Sequence, residues 1–442
     1  MIKPKSISGF YENLPEAQII EDNFKEIIRK NYSLSGFTPL DTPNIERVET
    51  LTSKGADDNE IYGIKRLKAE GEEKNDFELG LRFDLTVPLA RYVAQYEGEL
   101  DFPFKRQHIA KVYRGERPQK GRYREFYQAD VDIIGNAKLS LFADVEILST
   151  IYNSLKELNF GDFVININNK KLLVGFLESI DVENIVKTIS IIDKKDKVKS
   201  IVPMLEELGL KTEQISEILT YVNLSEIRTS MEILEYFSNM QNDTLLEGLG
   251  ELKYLYENLI NLGVDESFIK LNPSISRGLN YYTGTVFETF ILGAEEMGSI
   301  ASGGRYENLT SNFCKNNYPG VGGSIGLSRL ISVLNNIGKI ELGAKTVSKV
   351  LVLNMGEEYL TNNLQIVKTL RNIGINTEIY LDSETKLQKQ IKYADNKKIP
   401  FVIIQGEDEI EKGVIQLKNL EKGEQIEVKI KDLEKKLLEI LL

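Results

Sequence analysis

Arginine, glycine, tyrosine and carboxylate or carboxamide side chains are concentrated in three stretches of the sequence. They are residues 114–135 (RGERPQKGRYREFYQADVDIIG), residues 276–288 (SRGLNYYTGTVFE) and residues 320–330 (GVGGSIGLSRL). Guanidinium groups offer forked, permanently charged donors to phosphates. Amides and carboxylates can bind an amine, and aromatic rings can form the walls of a pocket. This combination indicates an enzyme that joins a small amino-bearing acid to a nucleotide.

The first stretch has the pattern of a strand with one polar face. We predict strands over residues 107–114 and 124–134, joined by a charged loop over residues 115–123. Side chains alternate between the two faces of a strand. One face therefore carries Phe126, Gln128, Asp130 and Asp132, and the other carries Tyr127, Ala129, Val131 and Ile133. Since polar groups inside an enzyme must be hydrogen-bonded, the polar face is either a ligand site or a solvated sheet face.

The charge of the chain is acidic overall but basic near this strand. The net charge of −12 argues against unspecific nucleic-acid binding. Residues 105–124 nevertheless hold eight Lys or Arg against one acid, Glu116. A solvated basic face is one interpretation of such a run. The alternation of arginines with strand-forming residues favours a binding site.

The composition is ordinary for a globular protein. The 442 residues suggest about three domains, and 41% hydrophobic with 28% charged residues is a usual balance. We find no apolar run of the ~18 residues that a membrane span needs, and the start of the chain lacks a signal-peptide pattern. The single cysteine, Cys314, excludes an internal disulfide and a multi-cysteine zinc site. A cytoplasmic protein without a membrane partner is expected.

Hydrophobic spacing predicts the elements that must position these residues. We predict helices over residues 16–32, 87–96, 327–337, 359–373 and 386–396, and mostly helix over residues 181–262. We predict further strands over residues 37–43, 79–85, 281–292, 322–325, 349–354, 377–381 and 401–405. The β-α-β-α-β order after a boundary near residues 343–347 implies a mixed or parallel sheet covered by helices.

Two stretches, residues 276–288 and residues 302–309 (SGGRYENL), closely resemble the histidyl-tRNA synthetase family. The Arg-Gly-Leu-X-Tyr-Tyr and Ser/Ala-Gly-Gly-Arg-Tyr segments distinguish this family from other class II aminoacyl-tRNA synthetases. The resemblance runs from Ser8 nearly to the C-terminus. It implies an α/β fold with an α+β catalytic core, whose antiparallel sheet is flanked by helices. The implied domains are a core formed by residues 1–165 and 263–342, a helical insertion over residues 166–262, and an anticodon-binding α/β domain over residues 347–442.

The resemblance also implies the reaction and its partners. ATP and L-histidine would give histidyl-adenylate and pyrophosphate, and the histidyl group would then pass to the 3′ end of tRNA(His). ATP is a substrate, and Mg²⁺ should arrive with it, held mainly by phosphates and without a dedicated protein site. Pro43 matches the "motif 1" proline of a segment that forms the dimer interface in this class, so a homodimer is expected.

The resemblance assigns roles residue by residue. Arg277 and Arg114 would be the catalytic residues, both near the α-phosphate. The implied histidine-binding residues are Asp84, Leu85, Thr86, Gln128, Asp132, Tyr281, Tyr282 and Tyr306. The implied ATP-binding residues are Arg114, Glu116, Arg122, Phe126 and Arg329. We predict in addition that Arg117, Gln119 and Lys120, in the hairpin loop, touch the tRNA acceptor end.

Physical arguments accompany two of these roles. An acid such as Asp84 is the expected complement of a substrate ammonium group. It can also cap the helix that follows, and the two roles are compatible. Arg329 falls in the first turn of a predicted helix, where the helix N-terminus already favours anions. The family role there is contact with the γ-phosphate of ATP.

The chain departs from the family pattern at two positions. Asn280 stands where the family usually has an aspartate, and Ser328 replaces the glutamate that commonly precedes the final arginine. The lone histidine, His108, lies on a predicted strand and is interpreted as structural. Cys314 is assigned no role.

Two other protein classes share this pattern. One is the synthetase-like regulatory subunit of ATP phosphoribosyltransferase, a binding protein that generally lacks the C-terminal domain and loses ATP-site arginines. The other is a catalytically silent tRNA sensor of the type fused to kinases. This chain keeps the C-terminal segment and the arginines and contains no kinase segment, so the synthetase is the favoured interpretation.

Overall fold

The computed structural model describes residues 1–53, 60–67, 77–119, 121–195, 198–275, 282–308 and 310–441. The predicted site residues Lys120, Arg277 and Tyr281, together with Asn280, lie outside these ranges. The chain forms two compact units. The first contains Met1–Glu12 and Asn23–Ile340, and the second contains Asn13–Asp22 and Glu341–Leu442.

The strands of the first unit form two sheets. They are β1 (Thr38–Pro39), β2 (Ile45–Arg47), β3 (Gly63–Ile64), β4 (Leu79–Leu81), β5 (Phe104–Tyr113), β6 (Glu125–Ile134), β7 (Phe163–Asn169), β8 (Ile269–Leu271), β9 (Thr285–Ile291), β10 (Ala301–Tyr306) and β11 (Gly320–Ile325). The large sheet has the order β1-β5-β6-β11-β10-β9-β7-β8, and the small one the order β2-β4-β3. In the large sheet β1 with β5 and β7 with β8 are parallel, and the other neighbours are antiparallel.

The helices up to residue 340 are mostly amphipathic. They are α1 (Pro15–Leu34), α2 (Val48–Thr52), α3 (Thr86–Gln95), α4 (Phe142–Glu157), α5 (Lys170–Ser179), α6 (Ile185–Ile192), α7 (Val202–Glu207), α8 (Thr212–Ile227), α9 (Ser230–Ser238), α10 (Asp243–Asn261) and α11 (Leu327–Asn336). Side-chain caps begin several of them, such as Asn169 of α5 and Asn242 of α10. None of the described helices is long and apolar enough to cross a membrane.

The large sheet has one apolar and one polar face. Ala129, Val131 and Ile133 of β6 belong to a core that also contains residues of α4 and of the helices between β7 and β8. The opposite face carries the even-numbered residues of β6, as strand alternation requires. Strand β7 continues to Asn169, so the helical segment begins at Lys170 and shares its core with the sheet. The boundaries of the helical insertion stay a prediction.

The second unit has its own five-stranded mixed sheet. Its strands are β12 (Val350–Val352), β13 (Thr377–Ile379), β14 (Phe401–Ile404), β15 (Val414–Asn419) and β16 (Gln425–Lys429), in the order β13-β12-β14-β15-β16. Its further helices are α12 (Leu360–Asn372), α13 (Leu387–Asn396), α14 (Glu407–Lys412) and α15 (Leu433–Leu441). Strand β12 is parallel to both neighbours and buried on both faces, which accounts for its continuous apolar sequence.

The predicted elements agree with most of this architecture. The hairpin of two long strands, the helix after residue 86 and the β-α-β-α-β order are confirmed. The predicted strand over residues 79–85 is shorter, because the chain turns at Asp84 to enter α3. The two antiparallel strands β15 and β16 and the helices α14 and α15 were not predicted.

Candidate active site

The polar face of β6 meets polar residues from both neighbouring strands. Asp132 is opposite Arg106 of β5 and Gly322 of β11 in the register of the sheet. The side-chain amide of Gln128 donates to the hydroxyl of Ser324 at 2.9 Å. Asp132 is only 4% exposed. Asp130 and Asp132 are buried, and Phe126 and Gln128 are half-buried, which favours a ligand site over a solvated sheet face.

Asp132 is held by donors at both carboxylate oxygens. The Tyr306 hydroxyl donates to Oδ1 at 2.8 Å, and Nη2 of Arg106 lies 2.6 Å from Oδ2. Burial raises the pKa of Asp132 to about 6, while the Arg106 charge and the Tyr306 hydrogen bond oppose that rise. The carboxylate is thus fixed in orientation and retains lone pairs for a further donor.

Glycines on β10 and β11 make room for these side chains. A Cβ on Gly322 would lie 2.0 Å from Oδ1 of Asp132, and one on Gly320 would lie 2.4 Å from the ring of Tyr306. A Cβ on Gly304 would lie 2.7 Å from the ring of Tyr282. Each contact is too short for any larger residue. The glycines of the two motifs are therefore required by the shape of the site, not only by strand pairing.

Tyr282 joins the same site from the segment before β9. Burial raises the pKa of its hydroxyl, and the carboxylates of Asp132, Asp130 and Asp84 raise it further. The backbone carbonyl of Tyr282 accepts from Nζ of Lys170 at 2.9 Å. Tyr282 therefore lies within electrostatic reach of three acidic residues from two parts of the chain.

Asp84 caps α3. Its Oδ1 accepts from the backbone N–H groups of Thr86 at 3.2 Å and Val87 at 2.9 Å. Leu85 is fully buried and packs beside Phe126, while its carbonyl accepts from Arg106 at 3.4 Å. The capping role predicted for Asp84 is confirmed. Histidine binding by residues 84–86 stays a prediction.

An open cleft of about 340 Å³ adjoins this polar face. Its lining comes from the hairpin, from β10 and β11, and from the start of α11. The described lining residues are Arg114, Glu116, Gly121, Arg122, Tyr123, Phe126, Gln128, Ser299, Ile300, Ala301, Ser302, Ser324, Gly326 and Arg329. The structure thus brings all five predicted ATP-binding residues into one cleft, with Gln128 between them and the predicted histidine pocket.

Arg114 is positioned by aromatic rings. Its guanidinium carbon lies 4.4 Å from the ring centroid of Phe83 and 5.2 Å from that of Phe126. Its Nε also donates to the Phe83 carbonyl at 3.3 Å. Across the cleft mouth, Nη1 of Arg122 lies 3.5 Å from Oε2 of Glu116. The planar guanidinium of Arg114 has further forked donors, which suit a phosphate.

Arg329 enters the cleft from the first turn of α11. Its Nη2 donates to the carbonyl of Met297 at 2.6 Å. Gly298, at φ +81°, lies so close that a Cβ there would be 2.4 Å from the same nitrogen. The arginine charge and the helix N-terminus therefore favour an anion at the same end of the cleft.

The hairpin loop is partly exposed where it is described. Arg117 and Gln119 are exposed, and Gln119 pairs with Arg122 through two backbone hydrogen bonds of 3.1 and 2.9 Å. In the described part of the chain, no group of three or more His, Cys, Asp or Glu side chains is placed to hold a metal ion.

Three residues that the sequence analysis singled out make contacts within the protein. Arg305, in the Gly-Gly-Arg-Tyr segment, donates to Asp144 at 3.0 Å and to the Ser140 carbonyl at 2.8 Å. The hydroxyl of Ser328, the departure before Arg329, accepts from the Tyr127 backbone N–H at 2.8 Å. The structural interpretation of His108 agrees with its 2.9 Å contact to Asp41 and with a pKa lowered to about 4, chiefly by burial.

Sequence reasoning missed Arg106 and Ser324. Both contact predicted site residues from neighbouring strands, and Arg106 is fully buried. The signal that identifies Arg106 is the hairpin register, which places it opposite Asp132. Nothing local to β11 distinguishes Ser324, because its partner Gln128 is known only once the strand order is known.

Comparisons with known proteins agree with this geometry. The histidyl-tRNA synthetase family model matches residues 9–330, and an anticodon binding domain model matches residues 349–440. The histidine–tRNA ligase of Clostridium tetani is 43% identical over 434 residues, covering 96% of each chain. That of Finegoldia magna is 40% identical over 443 residues, covering 99% of this chain and 100% of the relative.

Solved structures give the same result. A crystal structure of histidyl-tRNA synthetase from Nostoc sp. PCC 7120 matches with a TM-score of 0.91 and 37% identity, covering 99% of this chain and 100% of the other. A Bacillus halodurans structure described as an ATP phosphoribosyltransferase regulatory subunit/histidyl-tRNA synthetase matches at 22% identity with a TM-score of 0.74, which shows the fold alone. The chain belongs to the histidyl-tRNA synthetase family and ends in an anticodon-binding domain.

Proposed function

We propose that this chain is a histidine–tRNA ligase. It activates L-histidine with ATP to histidyl-adenylate and pyrophosphate, and then transfers the histidyl group to the 3′ end of tRNA(His). The observation that carries this proposal is the position of Gln128 between a polar pocket and an arginine-lined cleft. On one side lies the buried carboxylate of Asp132 with Tyr306, and on the other lies the cleft with Arg114 and Arg329. A small amino acid and a nucleotide would meet there.

The polar pocket suits the histidine side chain. A fixed carboxylate acceptor such as Asp132 complements an imidazole N–H, and Tyr282 and Tyr306 are the aromatic walls assigned by the family motifs. Asp84 is the proposed partner of the substrate ammonium group. Its contacts with two backbone N–H groups fix the carboxylate in place, so it needs no reorganisation when the substrate binds.

The cleft suits the triphosphate. We assign Arg114 to the α-phosphate and Arg329 to the γ-phosphate, with Glu116, Arg122 and Phe126 around the remainder of the nucleotide. Arg277 is the proposed second catalytic arginine. When the histidine carboxylate attacks the α-phosphate, negative charge grows on the phosphate oxygens, and fixed donors stabilise it most in an enclosed site. Mg²⁺ would arrive with ATP and be held mainly by its phosphates.

We divide the tRNA contacts between the two units. We assign the acceptor end to Arg117, Gln119 and Lys120 of the hairpin loop, and the anticodon to the second unit. A homodimer and a cytoplasmic location remain proposals from the sequence and the family. Sedimentation that finds a fully active monomer of about 50 kDa would contradict the dimer.

Histidine-dependent ATP–pyrophosphate exchange tests the function. Exchange should appear with L-histidine and not with other amino acids as controls. Charging of tRNA(His) should then follow in the same preparation. The regulatory-subunit alternative predicts no exchange with any amino acid, and the retention of Arg114, Arg329 and a C-terminal anticodon-binding domain favours the ligase over it.

A further inference from the structure

Arg106 has an unusual position for an arginine. It is the third residue of β5, and 0% of its surface is exposed. Its Nη2 is 2.6 Å from Oδ2 of Asp132 and 3.8 Å from Oδ2 of Asp130. Arginine is almost never fully buried unless it is paired. Two carboxylates therefore share one guanidinium beneath the pocket.

The environment of this cluster is polar but incompletely paired. Within the described residues, Nε and Nη1 of Arg106 and Oδ1 of Asp130 are buried without a hydrogen-bond partner. A core ion pair that served only stability would be expected to satisfy these atoms, because unpaired buried polar groups are costly. Such incomplete pairing beside a binding pocket points to a functional constraint.

The charges explain what the arginine does. Asp130 and Asp132 lie on the same face of one strand, and burial raises the pKa of Asp130 to about 7 and that of Asp132 to about 6. The Arg106 charge opposes both rises. An ionised carboxylate only accepts hydrogen bonds, whereas a protonated one also carries a donor. The protonation state of Asp132 therefore determines how well it accepts from an imidazole N–H.

We propose that Arg106 is a positioning residue for histidine selection: it keeps Asp132 ionised and oriented beneath the substrate imidazole, while Asp130 balances the remaining charge. The proposal rests on the proposed function, since it concerns the same pocket. It adds a residue from β5 that does not line the ATP cleft and that none of the family motifs described above contains.

Other charged or titratable groups face the same carboxylate and must be considered in a test. They are Asp130 on β6, Tyr306 on β10, Asp84 before α3, Tyr282 before β9 and Tyr32 on α1. Burial raises the pKa of Tyr32 and of Tyr282 well above neutral pH. The titration of Asp130 and Asp132 beside the Arg106 charge therefore governs the profile between pH 6 and 9.

The decisive variants are Arg106→Leu and Arg106→Lys, with wild type measured in parallel at each pH. In Arg106→Leu, KM for histidine in pyrophosphate exchange should rise roughly 10- to 100-fold at pH 7, the range of a lost hydrogen bond to a charged group. KM for ATP should change by less than about two-fold. Because the loss of the positive charge raises the pKa of Asp132, the histidine defect should shrink as pH rises from 7 to 9. Expressing each value relative to wild type cancels the titration of free histidine.

Arg106→Lys keeps the charge but loses the fork. It should recover most of the histidine affinity and the wild-type pH profile, and it provides the test if Arg106→Leu does not fold. The proposal is overturned if either folded variant raises both KM values equally with an unchanged pH profile, since that indicates a structural role alone. It is also overturned if Arg106→Leu leaves histidine KM unchanged. Absence of histidine-dependent exchange in the wild type would instead overturn the proposed function itself.

Discussion

The two ends of the candidate site hold their charges in different ways. At the histidine end, Asp132 is buried and is contacted by Arg106 and Tyr306 within the protein. At the ATP end, the side chain of Arg122 is 52% exposed and its contact with Glu116 is 3.5 Å long. One end is a buried network of charges, and the other is an open cleft lined by donors.

We attribute this difference to the two proposed ligands. A neutral imidazole brings little charge, so the protein must supply a fixed and ionised acceptor. Contacts within the protein offset the free-energy cost of burying that charge. A triphosphate brings several charges of its own and can order exposed arginines when it binds. Preorganisation is therefore concentrated where selectivity between amino acids is needed, and exposed donors suffice where the ligand supplies the electrostatic energy.

The largest effect should come from the proposed catalytic arginine of the 276–288 motif. Arg277→Ala should slow adenylate formation by ~10²-fold or more, the typical loss for one preorganised donor at a developing oxyanion. Histidine affinity should change much less, because the arginine acts chiefly on the transition state. Single-turnover kinetics would measure this.

Asn280→Asp is the matched control, since it restores the residue usual in the family at nearly equal volume. It should remain active. Near-normal adenylate formation by Arg277→Ala would remove this arginine from the mechanism, and an inactive Asn280→Asp would show that the site is built around a neutral amide.

One substitution at each end of the site should change KM for one substrate and leave KM for the other nearly unchanged. Asp132→Asn should raise KM for histidine roughly 10- to 100-fold, because it removes a charged acceptor, with little change in KM for ATP. Arg114→Lys should raise KM for ATP with little change in KM for histidine, because it loses the planar fork that suits a phosphate. Steady-state exchange with each substrate varied in turn would check both. Parallel rises of both constants in either variant would contradict the division into two ends.

A smaller effect should distinguish two similar tyrosines. Tyr306 and Tyr318 are both 2% exposed and both donate to a carboxylate at 2.8 Å, to Asp132 and to Glu97 respectively. Tyr306→Phe should raise KM for histidine about ten-fold, the lower end of the range for a hydrogen bond to a charged group, because Arg106 still holds Asp132. Tyr318→Phe should leave it unchanged. Equal effects in pyrophosphate exchange would show that only packing is being measured.

The smallest effect should be at the hairpin loop and should spare the first reaction. Lys120→Ala should weaken tRNA charging and flatten its dependence on salt, because tRNA binding releases fewer counterions when a phosphate contact is lost. Pyrophosphate exchange should be nearly unchanged. A fall in exchange as large as the fall in charging would assign the loop to ATP instead.

Local patterns were sufficient to predict much of the histidine end. Period-two alternation placed Gln128 and Asp132 on one face, and motif resemblance selected Tyr306 and the glycines around it. Arg106 was not found, because its role depends on which residue it meets across the hairpin. Register is set by the whole sheet and is not visible in either strand alone.

The same limit explains the other omissions. Arg305 has the motif position of a binding residue, yet its partner Asp144 lies on α4, far away in sequence. Strands β15 and β16 each contain three polar or charged residues among six and five positions respectively, so their hydrophobic signal is weak. Pairing partners that are distant in the chain therefore account for most of what could not be predicted.

The most direct test of the contrast between the two ends is calorimetric titration of the wild-type enzyme with L-histidine in the absence of ATP. A preformed histidine end predicts saturable binding without the nucleotide, and it predicts a large loss of that binding in Asp132→Asn but not in Arg114→Lys. The account would be contradicted if histidine bound only after ATP was added, or if the Arg114→Lys variant lost histidine binding as fully as the Asp132→Asn variant.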